Sequence, residues 1–326
     1  MSSVLVSATP ATGAPAPLTL YSGQHVQTTQ ALVSAFEKKT GIPVHVRFDD
    51  EDVLADQLIT EGGHSPADVF LTENSPPLQD LASKGLLLPV APSTLARTPS
   101  RFNSPQGRWV GISARVSVMV YNTSLVKKSQ LPTSAMQLAR PKWSGKVAIA
   151  GGETDFQPIV TSVAKTYGSA AALRWLNGVK ANAGSHQYPD NETVTNEVNR
   201  GQVAIGIINQ YYWYRMRSEI GASATHSAIA YFAPHDVGYV MDVSGAGILR
   251  SSSHVSEAQR LVAFLNSAPA QEIIAHSTSF EYPIGSGVTK AQPETPFRQL
   301  QPNSISIAQL GTGAAAIALL EQAQLL

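Results

Sequence analysis

Residues Leu18 to Asp50, LTLYSGQHVQTTQALVSAFEKKTGIPVHVRFDD, decide the fold. Leu18-Thr19-Leu20-Tyr21 reads as a short strand. Leu32, Ala35 and Phe36 recur at helical spacing, with Gly41 just beyond as a stop. Ile42, Val44, Val46 and Phe48 then alternate as a second strand, and Asp49-Asp50 are placed to cap a helix carrying Val53, Leu54 and Leu58. Ala67 to Leu71 form the next apolar run, and Leu78, Leu81 and Ala82 before Gly85 the next helix. Strands alternating with helices predict a parallel sheet.

The pattern returns downstream. Val147 to Ala150 reads as a strand, with helices expected from about Phe156 to Tyr167, around Ala170 to Lys180 and over Thr193 to Asn199. Val203 to Ile208 is a strand running directly into Tyr211-Tyr212-Trp213, so a second parallel sheet is expected. Between the halves, RVSVMVYN (Arg115 to Asn122) and GYVMDVSGAGIL (Gly238 to Leu249) are extended apolar runs long enough to pass between lobes. Pro89 to Pro105 reads as surface loop, and no internal repeat of 20 to 50 residues is present.

The chain has 326 residues, beyond the size at which single cores stop growing, which favours two lobes. Its 23 basic and 23 acidic residues balance, which argues against nucleic acid or an anionic membrane as partner. Cysteine is absent, excluding thiol catalysis, disulfides and Cys-bound metal, so any metal takes O and N donors. No apolar run approaches a membrane span; Ala314 to Leu320 is the longest candidate. Residues 1–17 read as a Ser/Ala/Thr/Pro-rich tether. Val4 to Val6 are too few for a signal core, so the expectation is a mature exported chain with Met1 added ahead of it.

Ligands of open parallel sheets bind beyond the carboxyl ends of strands. That rule selects His25 after the first strand, Glu73 after the third, and in the second half the junctions Gly151-Gly152-Glu153-Thr154-Asp155 and Asn209-Gln210-Tyr211-Tyr212. Each residue also has a plainer reading: His25 as surface or packing, Glu73 near a helix N-terminus, and the tyrosines as one packed and one exposed ring. Together they gain meaning. A phenol ionises near pH 10, so a tyrosinate ligand at neutral pH needs a strongly Lewis-acidic ion. Neutral His25, ionised Glu73 and two phenolates sum to −3, matching Fe(III).

YSGQH (Tyr21 to His25), FEKKTGIPV (Phe36 to Val44), DQLITEGGHSPADVFLTE (Asp56 to Glu73), YN (Tyr121-Asn122), NQYYWY (Asn209 to Tyr214) and EYP (Glu281 to Pro283) resemble the ferric-ion-binding proteins of bacterial iron ABC importers. The resemblance runs from Leu18 to Leu320. It implies an α/β, two-lobed periplasmic-binding-protein fold of class II with a transferrin-like iron site. Each lobe would be a mixed, mostly parallel sheet flanked by helices, and two crossover strands would join them. The first lobe would take 18–115 and 242–292, and the second 116–241 and 293–326. It implies Fe(III) on His25, Glu73, Tyr211 and Tyr212, completed by a synergistic anion such as carbonate or phosphate, or by water. Positions matching the anion site are Gly152, Glu153, Thr154, Asn191 and Asn209, with Arg115 as a bidentate fork. Relatives have Thr-Ser-Gly-Ala where this chain has Gly151-Gly152-Glu153-Thr154, and Glu153 and Asp155 would repel phosphate if they faced inward. Gln210 stands where asparagine is frequent. The implied protein is a monomeric, non-enzymatic receptor on the periplasmic or extracellular face that closes by hinge motion and hands iron to a membrane permease. Alternatives are the same fold carrying a ferric chelate or an organic or inorganic anion, and a metal-dependent enzyme. The enzyme reading lacks a G-x-S-x-G elbow, an H-E-x-x-H pair or a P-loop.

Overall fold

The computed structural model describes residues 16–289 and 295–326. Most of the tether assigned to 1–17, and the expected lobe boundary at 292/293, lie outside the described residues. The chain opens with β1 (Leu18–Ser22), α1 (Val26–Thr40), β2 (Val44–Phe48), α2 (Glu51–Glu61), β3 (Val69–Thr72), α3 (Ser75–Ser83), β4 (Leu87–Leu88) and a single helical turn, α4 (Pro92–Leu95). The long strand β5 (Trp109–Asn122) is followed by β6 (Val147–Ala148), α5 (Gln157–Tyr167), α6 (Ser169–Ala183), α7 (Asn191–Asn199), β7 (Ile205–Asn209), α8 (Gln210–Ile220) and β8 (Ser227–Ala230). β9 (Met241–Leu249), α9 (Val255–Leu265), α10 (Ala268–His276), β10 (Tyr282–Pro283), α11 (Ile307–Leu310) and α12 (Ala314–Gln322) complete it.

α1 ends where the sequence places its stop. Gly41 adopts φ 71, a left-handed conformation that costs glycine little, and its N–H caps Glu37 O. Leu32, Val33 and Phe36 bury one face of the helix against Leu18, Leu20 and Val69, with α9 contributing Leu261 and Val262. α2 departs from expectation at its start. Asp50 is the N-cap residue but its side chain makes no capping bond; Asp49 Oδ1 instead accepts from Asp50 N at 3.0 Å.

β1 pairs in parallel with β2 and β3, as the strand–helix alternation requires. β9 then enters antiparallel between β3 and β5. In the second half only β6 and β7 are parallel, while β7 and β8 both run antiparallel to β5. The expected second parallel sheet is therefore a mixed one. An apolar run shows that a strand is buried but not which way it points, and β5 and β9 return the chain across the molecule against the direction of their neighbours.

All fourteen residues of β5 are buried, because it serves both sheets. Trp109 to Val116 pair with β9, and Ser117 to Asn122 with β7 and β8. Where the partner changes, Ser117 Oγ donates to Gly238 O at 2.6 Å and Ser117 N to Val240 O at 2.9 Å. Two lobes thus share one continuous strand, and the cleft between them lies above that crossing. α12 packs on α5 and α6, so the C-terminal segment covers the second lobe.

Candidate iron site between the lobes

Four chain reversals build the cleft. β1 ends at Ser22, and Gly23-Gln24-His25 turn into α1; His25 is the N-cap residue but makes no side-chain cap, which leaves its imidazole free to point elsewhere. β3 ends at Thr72, and Glu73-Asn74 lead into α3. From the other lobe, residues 149–156 follow β6, and β7 passes straight into α8, so Tyr211 and Tyr212 sit in the first helical turn. The cleft has a volume of about 600 Å³.

The four residues selected from strand ends meet there. His25 Nδ1 is 2.7 Å from Glu73 Oε1. Tyr211 Oη is 3.0 Å from Glu73 Oε2, and the His25 and Tyr211 ring centroids are 5.0 Å apart. The Tyr211 and Tyr212 rings lie 4.3 Å apart, both buried, so the expected split into one packed and one exposed ring does not occur. Among the described residues no three His, Asp or Glu side chains form a metal-holding group. The donor set reaches four only through the phenols.

Two side chains assigned no ligand role from the sequence stand in the same space. Asp155 Oδ2 is 3.0 Å from Tyr211 Oη. Asn74 Nδ2 donates to Asp155 Oδ1 at 2.9 Å and Asn191 Nδ2 to Oδ2 at 3.3 Å. Arg215, one turn along α8 from Tyr211, brings Nη2 to 3.0 Å from both ring nitrogens of His25. A signal existed for Arg215: it lies four residues after Tyr211, on the same helix face. Glu51, at the start of α2, orders the Glu73 loop by accepting from Glu73 N (2.7 Å), Asn74 N (2.9 Å) and Asn74 Nδ2 (2.8 Å).

The positions matched to an anion site divide. Gly152, Glu153 and Thr154 line the cleft, and Thr154 Oγ1 donates to Asp52 Oδ2 at 3.1 Å. Asn191 is committed to Asp155, and Asn209 is buried at the N-cap of α8. Arg115 does not open on the cleft. It is wholly buried on β5 and paired with Glu281, because β10 lies against β5 with Tyr282 opposite Ala114. A buried guanidinium requires such a partner.

The electrostatics are those of a site short of positive charge. Burial would raise Glu73, but the charge and hydrogen bond of His25, with Arg115 and Arg215, outweigh it and hold Glu73 down at about 2. Elsewhere burial prevails. Glu153 is pushed up to about 8 by burial and then by Asp155 and Glu73, and Asp155 is raised by burial and by Glu73. Both phenols are driven well above their ordinary value by burial, Asp155 and Glu73. Protons occupy oxygens that a multiply charged cation would otherwise neutralise.

A family model described as bacterial extracellular solute-binding protein matches residues 64–305. The "Fe(3+)-binding periplasmic protein" of Serratia marcescens is 36% identical over 295 residues, covering 90% of this chain and 87% of that protein. The "Major ferric iron-binding protein" of Neisseria meningitidis serogroup A is 34% identical over 325 residues, 99% of this chain and 96% of that one. Among solved structures, iron-bound HitA from Pseudomonas aeruginosa superposes with a TM-score of 0.89 at 39% identity, covering 95% of this chain and 99% of its own.

Proposed function

The chain belongs to the bacterial extracellular solute-binding protein family, and from that premise we propose that it captures Fe(III) between its lobes and delivers it to an ABC permease. The donors are His25, Glu73, Tyr211 and Tyr212. The observation that carries this assignment is the Tyr211 hydroxyl 3.0 Å from Glu73 Oε2, with His25 Nδ1 2.7 Å from the other oxygen of the same carboxylate. Imidazole, carboxylate and phenols converge from both lobes with no thiol present, a donor set suited to a hard trivalent ion.

Asp155 takes the place expected of an exogenous anion. Its carboxylate accepts from the Tyr211 hydroxyl and is fixed by Asn74 and Asn191. With it the ligand charge is −4, and Arg215 offsets the excess over Fe(III). Carbonate or phosphate on Gly152, Glu153 and Thr154 would add charge where Glu153 and Asp155 already crowd.

The two lobes are 18–115 with 242–292 and 116–241 with 293–326. The change of partner along β5 between Val116 and Ser117 supports the first boundary. The receptor works as an exported monomer without turnover: hinge rotation about the crossing strands brings the Tyr211–Tyr212 pair onto iron held by His25 and Glu73, and the closed form is what the permease reads. No helix among the described residues is long and apolar enough to cross a membrane.

Equilibrium competition for ferric iron against a chromogenic chelator tests the proposal. One iron per chain, undisturbed by excess Ca(II) or Mg(II), is expected. Failure to retain iron against even a weak chelator would contradict it.

A further inference from the structure

On the edge of β5 opposite β9, two elements lie end to end: β10, with Tyr282 opposite Ala114, and β7, with Asn209 opposite Ser117. β7 turns into α8 at Gln210, which leaves the ladder open at Val116. The wholly buried side chain of Gln210 fills that opening. Its Oε1 accepts from Val116 N at 2.8 Å in place of a main-chain carbonyl, and its Nε2 donates to Phe280 O at 3.1 Å. One amide therefore splices the helix that carries Tyr211 and Tyr212 to the segment just ahead of β10.

That segment reaches the opposite ligand turn as well. Glu281 Oε2 accepts from Gln24 Nε2 at 3.0 Å, and Gln24 Oε1 accepts from His25 N at 2.7 Å. Gln24 and Glu281 are buried too, so water does not compete for these bonds. Gln24 directly precedes His25 as Gln210 directly precedes Tyr211, and the Phe280-Glu281 peptide joins the two. Phe280 holds φ 54, a left-handed conformation that aromatic residues rarely adopt and that persists only where the surroundings impose it. α8 restrains it twice: Gln210 bonds its carbonyl, and Tyr214, one turn further on, stacks on its ring at 6.0 Å.

We propose that Gln210 is a positioning residue of the iron site, whose amide, through Phe280, Glu281 and Gln24, sets the spacing between the Tyr211-Tyr212 turn and the His25 turn. The inference rests on Fe(III) capture by those residues. A metal bridging two lobes binds most tightly when its donors arrive already spaced for it, and partners that orient ligands carry about 10- to 100-fold in metal affinity. A glutamine amide accepts from Val116 N and donates to Phe280 O at once. Leucine of similar size does neither, and asparagine is one methylene shorter.

Wild type, Gln210→Leu and Gln210→Asn are loaded with ferric nitrilotriacetate, and the visible band, the ferric affinity by chelator competition and the urea stability of the metal-free proteins are recorded. Asn182→Ala is the control. Asn182 Nδ2 bonds Leu138 O and Arg140 O at 2.7 and 2.8 Å within the second lobe, so its loss lowers stability without touching either ligand turn. Ferric affinity should fall about tenfold or more in Gln210→Leu, with a displaced band maximum, while the control keeps the affinity and band of wild type. Gln210→Asn should change both in the same sense by less, and it carries the test if the leucine variant does not fold. Combined with Gln24→Leu, Gln210→Leu should lose less affinity than the two single losses multiplied, because both act through the same peptide. Unchanged affinity and band in the Gln210 variants, an equal affinity loss in Asn182→Ala, or independent effects of Gln24 and Gln210 overturns the positioning role alone. A wild type without a ferric band overturns the Fe(III) cargo and the positioning role with it.

Discussion

The Tyr211 hydroxyl lies 3.0 Å from Glu73 Oε2, although the two residues are 138 positions apart and belong to different lobes. That contact joins a phenol to the carboxylate that already holds His25.

Iron binding should weaken as pH falls. Burial, Asp155 and Glu73 raise both phenols well above their ordinary value, so each arrives protonated and must release its proton to bind. Proton release on binding means that added protons favour the metal-free form. From pH 8 to pH 5 the apparent affinity should drop about tenfold per unit for each proton released. Competition titrations across that range check it, and a flat profile would refute phenolate ligation.

Asp155→Asn separates an internal carboxylate from an exogenous anion. Asparagine keeps the shape and loses the charge, so wild type should bind ferric iron equally well with and without carbonate or phosphate. The variant should bind more weakly, by about 10- to 100-fold, and recover when an anion is added. Anion dependence in wild type would contradict the role given to Asp155.

Gly23→Ala should damage the site through its frame. A Cβ at Gly23 would stand 2.5 Å from Glu51 Cβ and 2.8 Å from Glu51 Cα, at the start of α2. Glu51 holds the Glu73 loop through two backbone N–H groups, so moving it moves a ligand. A loss of about 1–3 kcal/mol in stability is expected, together with weaker iron binding. Thermal melts and iron competition on the same samples measure both.

Asp242 gives a stability signature independent of metal. Burial raises it to about 6, against which Arg115 and the bonds from Ser75 and Val243 act. A carboxyl raised in the folded state contributes stability that is fully present below its unfolded value, near pH 4, and is lost as pH rises through about 6. Urea unfolding of wild type should therefore lose up to about 3 kcal/mol from this group between pH 4 and pH 7. Asp242→Asn should lack that loss, and parallel profiles for the two proteins would disprove the assignment.

What the sequence revealed follows from what kind of signal each feature leaves. His25, Glu73, Tyr211 and Tyr212 were legible because each follows a recognisable strand, and the strand-end rule needs no knowledge of partners. Gly41 announced the end of α1. Strand direction was not legible: β5 and β9 read as apolar runs, and their antiparallel entry is set by the crossing between lobes. Asp155 was visible as a charge hostile to phosphate, yet its bonds to Tyr211, Asn74 and Asn191 depend on residues 36 to 81 positions away. The pairing of Arg115 with Glu281 left no local signal, because the carboxylate lies 166 residues further on.

The most direct test is the visible spectrum of the metal-free protein after addition of one equivalent of ferric nitrilotriacetate, compared with Tyr211→Phe and Tyr212→Phe. Wild type should develop a phenolate-to-iron absorption band, diminished in each variant. A wild type that holds iron without colour, or a full band in both variants, would contradict iron capture by the paired tyrosines.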